Sequence, residues 1–177
     1  DLKLKLKHLE NFYTLDRSQL DVLNFDILFK KLSSFNPEII INCVAFTNVR
    51  NAEFNNQCFS INHLYVEKLS EFCALRNIFL IHFSTDYVFD GAKSEPYLET
   101  DVPNPLNKYG QSKLLGDNSI IHNLDRYIII RCSWLFSGTR NCFLTKIYNQ
   151  LNQDMDCEVG SISIGNPLYV EDLSNVI

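Results

Sequence analysis

Four short runs rich in β-branched and aromatic residues most restrict what this chain can fold into: NFYTL (11–15), EIIINCVA (38–45), NIFLIHFS (77–84) and RYIIIRCS (126–133). Their near-continuous apolar character predicts strands buried on both faces, as the strands of parallel sheets are. Between them lie VLNFDILFKKLSSF (22–35), AEFNNQCFSINHLYVEKLSEFCALR (52–76) and PLNKYGQSKLLGDNSIIHN (105–123), whose apolar residues recur every three or four positions. That spacing predicts helices. The opening LKLKLKHL has the alternation of a strand, but it stands just before NFYTL, and two parallel strands need a crossover, so a helix is expected.

Strands alternating with helices indicate an α/β fold, a Rossmann-like doubly wound parallel sheet. Such sheets open with a strand, a Gly-rich turn and a helix, and these residues contain no Gly-rich turn. The expected sheet therefore lacks its first strand and that turn. Pro and Gly gather at 91–105 and 160–167. The first cluster reads as a long functional loop, the second as the approach to another element. The domain reading is a partial dinucleotide-binding domain at 1–160 and the start of a substrate lobe at 161–177.

Two polar clusters stand out against this framework. The strand at 77–84 runs into Ser84, Thr85, Asp86 and Tyr87 before the turn at Asp90 and Gly91. In an open parallel sheet, ligands sit beyond the carboxyl ends of the strands, so polar residues there face the binding crevice. As turn formers, the same residues cap a bend. Further on, Tyr109 and Lys113 form a YxxxK pair within a helix. A four-residue step puts phenol and ammonium on one face, where the cation favours phenolate and lowers the tyrosine pKa from its ordinary ~10.

Composition narrows the partners. A net charge of −5 supplies no basic stripe for nucleic acid. No apolar run approaches the ~18 residues of a membrane span, and a cytoplasmic protein is expected. The six cysteines, Cys43, Cys58, Cys73, Cys132, Cys142 and Cys157, include no CxxC and no zinc-spaced Cys/His pair. They read as reduced, mostly buried small hydrophobes, with no metal site expected.

With these motifs in order, the chain resembles the extended short-chain dehydrogenase/reductase superfamily. The segments that carry the resemblance are INCVAFTNVRNAE (41–53), INH (61–63), STDYVFDG (84–91), PYLETDVPNPLNKYGQSKLLGD (96–117), IIRCSWLF (129–136), GNP (165–167) and VEDL (170–173). Within the superfamily the likeness is to sugar-nucleotide reductases. It implies NADPH or NADH as cofactor and a dTDP-linked 4-keto sugar, dTDP-4-dehydrorhamnose, reduced to dTDP-L-rhamnose. A homodimer is the candidate assembly. By the same resemblance Tyr109 is the proton donor, Lys113 binds the nicotinamide ribose and tunes Tyr109, and Thr85 polarises the substrate carbonyl. Asp86, Tyr87, Trp134 and Asn62 are implied at the substrate. Cys43, Val44, Ala45 and Phe46 are implied beside the cofactor. Asp16 and Arg17 are implied at the adenosine ribose, where a carboxylate suits NAD and an arginine NADP, so the two remain open.

Some positions depart from the pattern. Arg50 replaces a usual aspartate, and Ser161, Ile162 and Ser163 replace a polar pair before the GNP turn. With the Gly-rich turn and most of the substrate lobe missing, the chain reads as a fragment of a longer frame or a decayed paralogue. Two other function classes stay open. A dehydratase or epimerase is one, although Tyr87 stands where a dehydratase needs a second acid/base. The other is a non-catalytic subunit like the regulatory subunit of methionine adenosyltransferase, which shares STDYVFDG and YxxxK.

Overall fold

The computed structural model describes residues 2–138, 142–153, 155–156 and 165–177. In chain order its elements are α1 (Leu2–Leu6), α2 (Phe25–Phe35), β1 (Ile39–Asn42), α3 (Val49–Ala52), α4 (Gln57–Phe59), a π-helical turn (Ser60–Leu64), α5 (Tyr65–Arg76), β2 (Phe79–Thr85) and a 3-10 turn (Asp86–Val88). They continue with α6 (Lys108–Asn123), β3 (Tyr127–Cys132), β4 (Leu135–Phe136), α7 (Phe143–Leu151), β5 (Leu168–Tyr169) and α8 (Val170–Val176). Among the described residues no helix is long and apolar enough to cross a membrane.

The chain divides into two compact units, one of residues 15–131 and the other of residues 1–14 with 132–177. The division falls at 131/132 rather than near 160, because the N-terminal residues belong with the C-terminal segment.

The larger unit holds the parallel sheet, with strand order β1-β2-β3. β1 and β2 run parallel in the register Ile39↔Phe79 to Asn42↔His82, so the last residue of β1 lies level with His82, three residues before the end of β2. Asn caps set several helix ends. Asn24 accepts the Ile27 N–H at the start of α2, and Asn107 accepts the Gly110 N–H at the start of α6. Asn36 and Asn77 take left-handed φ values of 45° and 54° at the ends of α2 and α5. Leu28 and Leu32 of α2, Val66, Leu69, Phe72 and Cys73 of α5, Leu80 of β2 and Ile120 of α6 share one core. Burying a side chain of that size stabilises by roughly 1.5–3 kcal/mol, so α2, α5 and α6 are held by packing.

The smaller unit has the parallel pair β4 and β5, with Leu135↔Leu168 and Phe136↔Tyr169 in register. α1 packs on α8, and Lys5 donates to Asn175 Oδ1.

Several sequence expectations change. The opening Leu/Lys run is a helix, as expected, but NFYTL is not a strand and belongs to neither sheet. A five-residue apolar run becomes a strand only beside a ladder partner, and the described strand order places none next to it. The helix expected over 52–76 is broken into α3, α4, the π-helical turn and α5. Apolar period survives such breaks, because one inserted residue in a π-turn moves the pattern by a single position. The cysteines are less buried than expected. Cys58 and Cys73 are buried, Cys132 and Cys142 are intermediate, and Cys43 is exposed where the chain leaves β1. Those five are free thiols. Cys157 and Ser161–Ser163 lie outside the described residues.

Candidate active site

The polar end of β2 first turns the chain. Ser84 and Thr85 are buried, and the Thr85 hydroxyl accepts the Tyr87 N–H at 3.2 Å and donates to Asp86 Oδ1 at 3.1 Å. Buried Val88 anchors the 3-10 turn that follows. This is the turn-forming chemistry of Thr and Asp, placed at the carboxyl end of a parallel strand.

α6 crosses this strand end. Its start is fixed by Asn107 and by Gly110, where an added Cβ would stand 2.2 Å from the Tyr87 carbonyl oxygen. Only a glycine lets the helix come that close to the turn. The approach sets the Tyr87 and Tyr109 rings edge to face, 5.7 Å apart. Tyr109, Lys113 and Asp117 then follow at four-residue steps on one face, at 9%, 1% and 0% exposure. Lys113 Nζ donates to the Phe83 carbonyl at 2.6 Å and lies 3.1 Å from His82 Nε2. Asp117 Oδ2 accepts from Ser84 Oγ at 2.8 Å and from Arg131 Nε at 3.4 Å. Its Oδ1 lies 4.0 Å from His82 Nε2 and has no hydrogen-bond donor among the described residues.

Asn42, the last residue of β1, meets His82. Its Oδ1 accepts the Val44 N–H at 3.1 Å and the Tyr65 hydroxyl at 3.2 Å, which leaves its amide NH2 facing His82 Nδ1 at 3.0 Å. His82 is thus held between two nitrogen groups, the Asn42 amide at Nδ1 and Lys113 Nζ at Nε2, and a neutral ring accepts at only one of its nitrogens. Burial, helped by the Lys113 charge, holds the His82 pKa well below the ordinary histidine range. Burial also pushes the Asp117 carboxyl up, against the Ser84 hydrogen bond and the charges of Lys113 and Arg131.

Asn62 has a different place from the one implied at the substrate. It is fully buried in the π-helical turn, where its Oδ1 accepts the Phe46 N–H at 2.8 Å. Its NH2 donates to the Phe46 carbonyl at 3.1 Å and to Ser112 Oγ at 3.0 Å. Ser112 Oγ in turn donates to the Tyr109 carbonyl at 2.7 Å. Three of the amide's four hydrogen-bonding positions latch the segment after β1 onto α6, so Asn62 acts as a buried brace.

Cys43, Val44 and Ala45 follow directly at the carboxyl end of β1, level with the end of β2. Cys43 is exposed there, and Val44 and Ala45 are half-buried. Asp16 and Arg17 form an exposed turn before α2, where Asp16 Oδ1 accepts the Ser18 N–H at 2.9 Å and its hydroxyl at 2.6 Å. Trp134 belongs to the smaller unit. Its φ of +40° is rare for a bulky residue, its ring packs 5.4 Å from that of Phe143, and a Cβ added to Gly165 would meet it at 2.7 Å.

The structure thus gathers Thr85, Asp86, Tyr87, Tyr109 and Lys113 around one strand end. Sequence reasoning named Ser84 but missed the rest of the layer beneath them: Asn42, His82, Asp117 and Arg131. A detectable signal was present, since His82 interrupts an apolar strand and Asp117 repeats the spacing that links Tyr109 to Lys113.

Comparisons with known proteins place this arrangement. The profile of the RmlD substrate binding domain matches residues 1–177. A dTDP-4-dehydrorhamnose reductase of Aggregatibacter actinomycetemcomitans is 39% identical over 92% of this chain and 56% of its own length. One from Sinorhizobium fredii is 33% identical over 91% of this chain and 55% of its own. Among solved structures, a dTDP-4-dehydrorhamnose reductase of Bacillus anthracis in complex with NADP superposes with a TM-score of 0.90 at 31% identity, covering 99% of this chain and 64% of that one. The Bordetella bronchiseptica enzyme WbmG in complex with NAD and UDP shares the fold at a TM-score of 0.82 and 15% identity. The chain spans little more than half the length of the curated relatives it matches.

Proposed function

The chain belongs to the RmlD substrate binding domain family, and on that footing we propose that its strand-end site serves the NAD(P)H-dependent reduction of dTDP-4-dehydrorhamnose to dTDP-L-rhamnose. The observation that carries this reading is the buried pairing of Tyr109 and Lys113 on α6 against the end of β2, where Thr85 lies. A bound NAD(P)H supplies the hydride that adds to the C4 carbonyl carbon. Thr85 turns its hydroxyl from Asp86 to the carbonyl oxygen and polarises it. Tyr109 gives its phenolic proton to the same oxygen, completing the new hydroxyl. Lys113 stabilises the phenolate left behind and holds the nicotinamide ribose.

Two groups of residues suit the two ribose ends of the cofactor. Lys113, Tyr109 and the segment of Cys43, Val44 and Ala45 would suit the nicotinamide ribose. The exposed Asp16–Arg17 turn would suit the adenosine ribose by its side chains, a carboxylate for a 2′-hydroxyl and a guanidinium for a 2′-phosphate. Asp86 and Tyr87, in the turn that α6 packs on, would line the sugar pocket. Drawing a charged sugar nucleotide and a dinucleotide from solution, the enzyme would work in the cytoplasm, as a homodimer and without nucleic acid.

A protein of the relatives' full length carrying this chain, mixed with NADPH and dTDP-4-dehydrorhamnose, is expected to lose NADPH absorbance mole for mole with substrate. Binding of both without oxidation would favour a regulatory subunit instead.

A further inference from the structure

We propose that Asp117 is a positioning residue of this site, the buried counter-charge that keeps the Lys113 ammonium in place and charged beside Tyr109; this rests on the reductase reading above. Tyr109, Lys113 and Asp117 form one stripe on α6, and Asp117 is its most buried member. A carboxylate taken out of water costs several kcal/mol unless charge and hydrogen bonds replace its hydration. Here the replacement is lopsided. Oδ2 receives Ser84 and Arg131, while Oδ1 has no donor within hydrogen-bonding distance among the described residues. A carboxylate serving only to join strands to a helix would be expected to have both oxygens bonded. Oδ1 instead looks toward Nε2 of His82, 4.0 Å away, on the side where Lys113 Nζ lies 3.1 Å from the same nitrogen.

The charge balance gives this arrangement its purpose. Lys113 is as deeply buried as Asp117, and burial alone drives an ammonium toward the neutral amine. A neutral Lys113 could neither favour the Tyr109 phenolate nor hold a ribose firmly. Arg131, a second cation nearby, makes the lysine charge harder still to keep. Asp86 is turned to the Thr85 hydroxyl at the start of the helix, and Glu53 of the α3 side accepts the Lys108 N–H. α6 meets the π-helical turn and α5 through uncharged groups, Gly116 on Asn62 and Val66, and Asn123 on Ser70. From β2 the facing groups are neutral His82 and Ser84, and from β3 Arg131. Asp117 is thus the anion of the buried layer.

The test is Asp117→Asn, which keeps the shape and an acceptor for Ser84 and Arg131 but removes the charge. In protein labelled with 15N-lysine, the Lys113 ammonium is expected to titrate about one pH unit lower in the variant. In the reductase assay the alkaline limb of the kcat/KM profile should move the same way. Loss of the anion makes both Lys113 and Tyr109 give up protons more readily, and both are needed protonated. Asp117→Glu should restore both readings. A lower melting temperature with an unmoved Lys113 titration overturns the proposal and leaves Asp117 a purely structural joint. If the wild-type protein oxidises no NADPH, the reductase reading falls, while the Lys113 titration still decides the coupling. Should the Asn variant not fold, Ser84→Ala weakens the carboxylate without removing it. A smaller downward shift of Lys113 is then expected, and no shift overturns the proposal.

Discussion

The stripe on α6 and the turn at Asp16–Arg17 were implied for one cofactor, yet the structure treats them in opposite ways. Tyr109, Lys113 and Asp117 are buried, and Lys113 and Asp117 are wired to two strands. Asp16 and Arg17 are exposed, with the Asp16 carboxylate folded back on Ser18. A polar group in the core has lost its hydration, so its partners and geometry are specified whether or not a ligand is bound. A polar group on an exposed turn keeps its water and is specified only by what it later binds. Buried chemistry can be read from the fold, whereas exposed chemistry is set by the ligand.

Tyr109→Phe tests the buried side most severely. In an enzyme of the relatives' full length, deleting the proton donor should lower kcat by ~10²-fold or more while leaving cofactor binding largely intact. Near-normal turnover would remove the strongest reason for setting the stripe apart from the turn. Thr85→Val comes next. It preserves shape but deletes the hydroxyl, and one hydrogen bond to a developing oxyanion is worth ~1.5–3 kcal/mol, about 10- to 10²-fold in kcat/KM. Loss of stability without loss of activity would reduce Thr85 to its observed task of capping the 3-10 turn.

The same contrast explains what the sequence disclosed. YxxxK and the polar end of β2 were legible because their spacing fixes geometry locally: four residues are one helical turn, and a strand ends where polar residues begin. The helical start at Leu2–Leu6 followed from connectivity. NFYTL misled because a strand is defined by its neighbour, which five residues cannot report. Asn62 misled differently. A motif gives no hint that Phe46 and Ser112 hold both N–H groups and the oxygen of the amide. His82 and Asp117 escaped notice because a pattern search for apolar period counts buried polar residues as interruptions.

A backbone approach sharpens the buried side without touching any reactive group. An added Cβ at Gly116 would stand 2.2 Å from the Asn62 carbonyl oxygen, in the π-helical turn that braces the segment after β1. Gly116→Ala forces α6 away from that turn. Overpacking of this kind typically costs ~1–3 kcal/mol, and it should appear as a lowered midpoint in urea with an unchanged slope. Wild-type stability would mean that the α6 face is held less tightly than its burial implies.

The smallest effect is expected at the turn. Arg17→Ala removes an exposed side chain, and surface substitutions of that kind stay within about 0.5 kcal/mol. Asp16→Asn keeps an oxygen that can accept from Ser18, so the turn should survive it equally well. Both variants should therefore unfold with the parent in urea. Their difference belongs in cofactor choice. A carboxylate accepts from the 2′-hydroxyl of NADH and repels the 2′-phosphate of NADPH, whereas a guanidinium attracts that phosphate. Asp16→Asn should raise the preference for NADPH and Arg17→Ala should lower it, each by up to about tenfold, the ~1.4 kcal/mol of one charge-assisted hydrogen bond. Measuring kcat/KM with both cofactors separates these directions. Unchanged preference in both variants would leave Asp16 and Arg17 as a solvated turn. A stability loss beyond 1 kcal/mol in either would mean that this exposed turn, like the buried stripe, is part of what holds the fold.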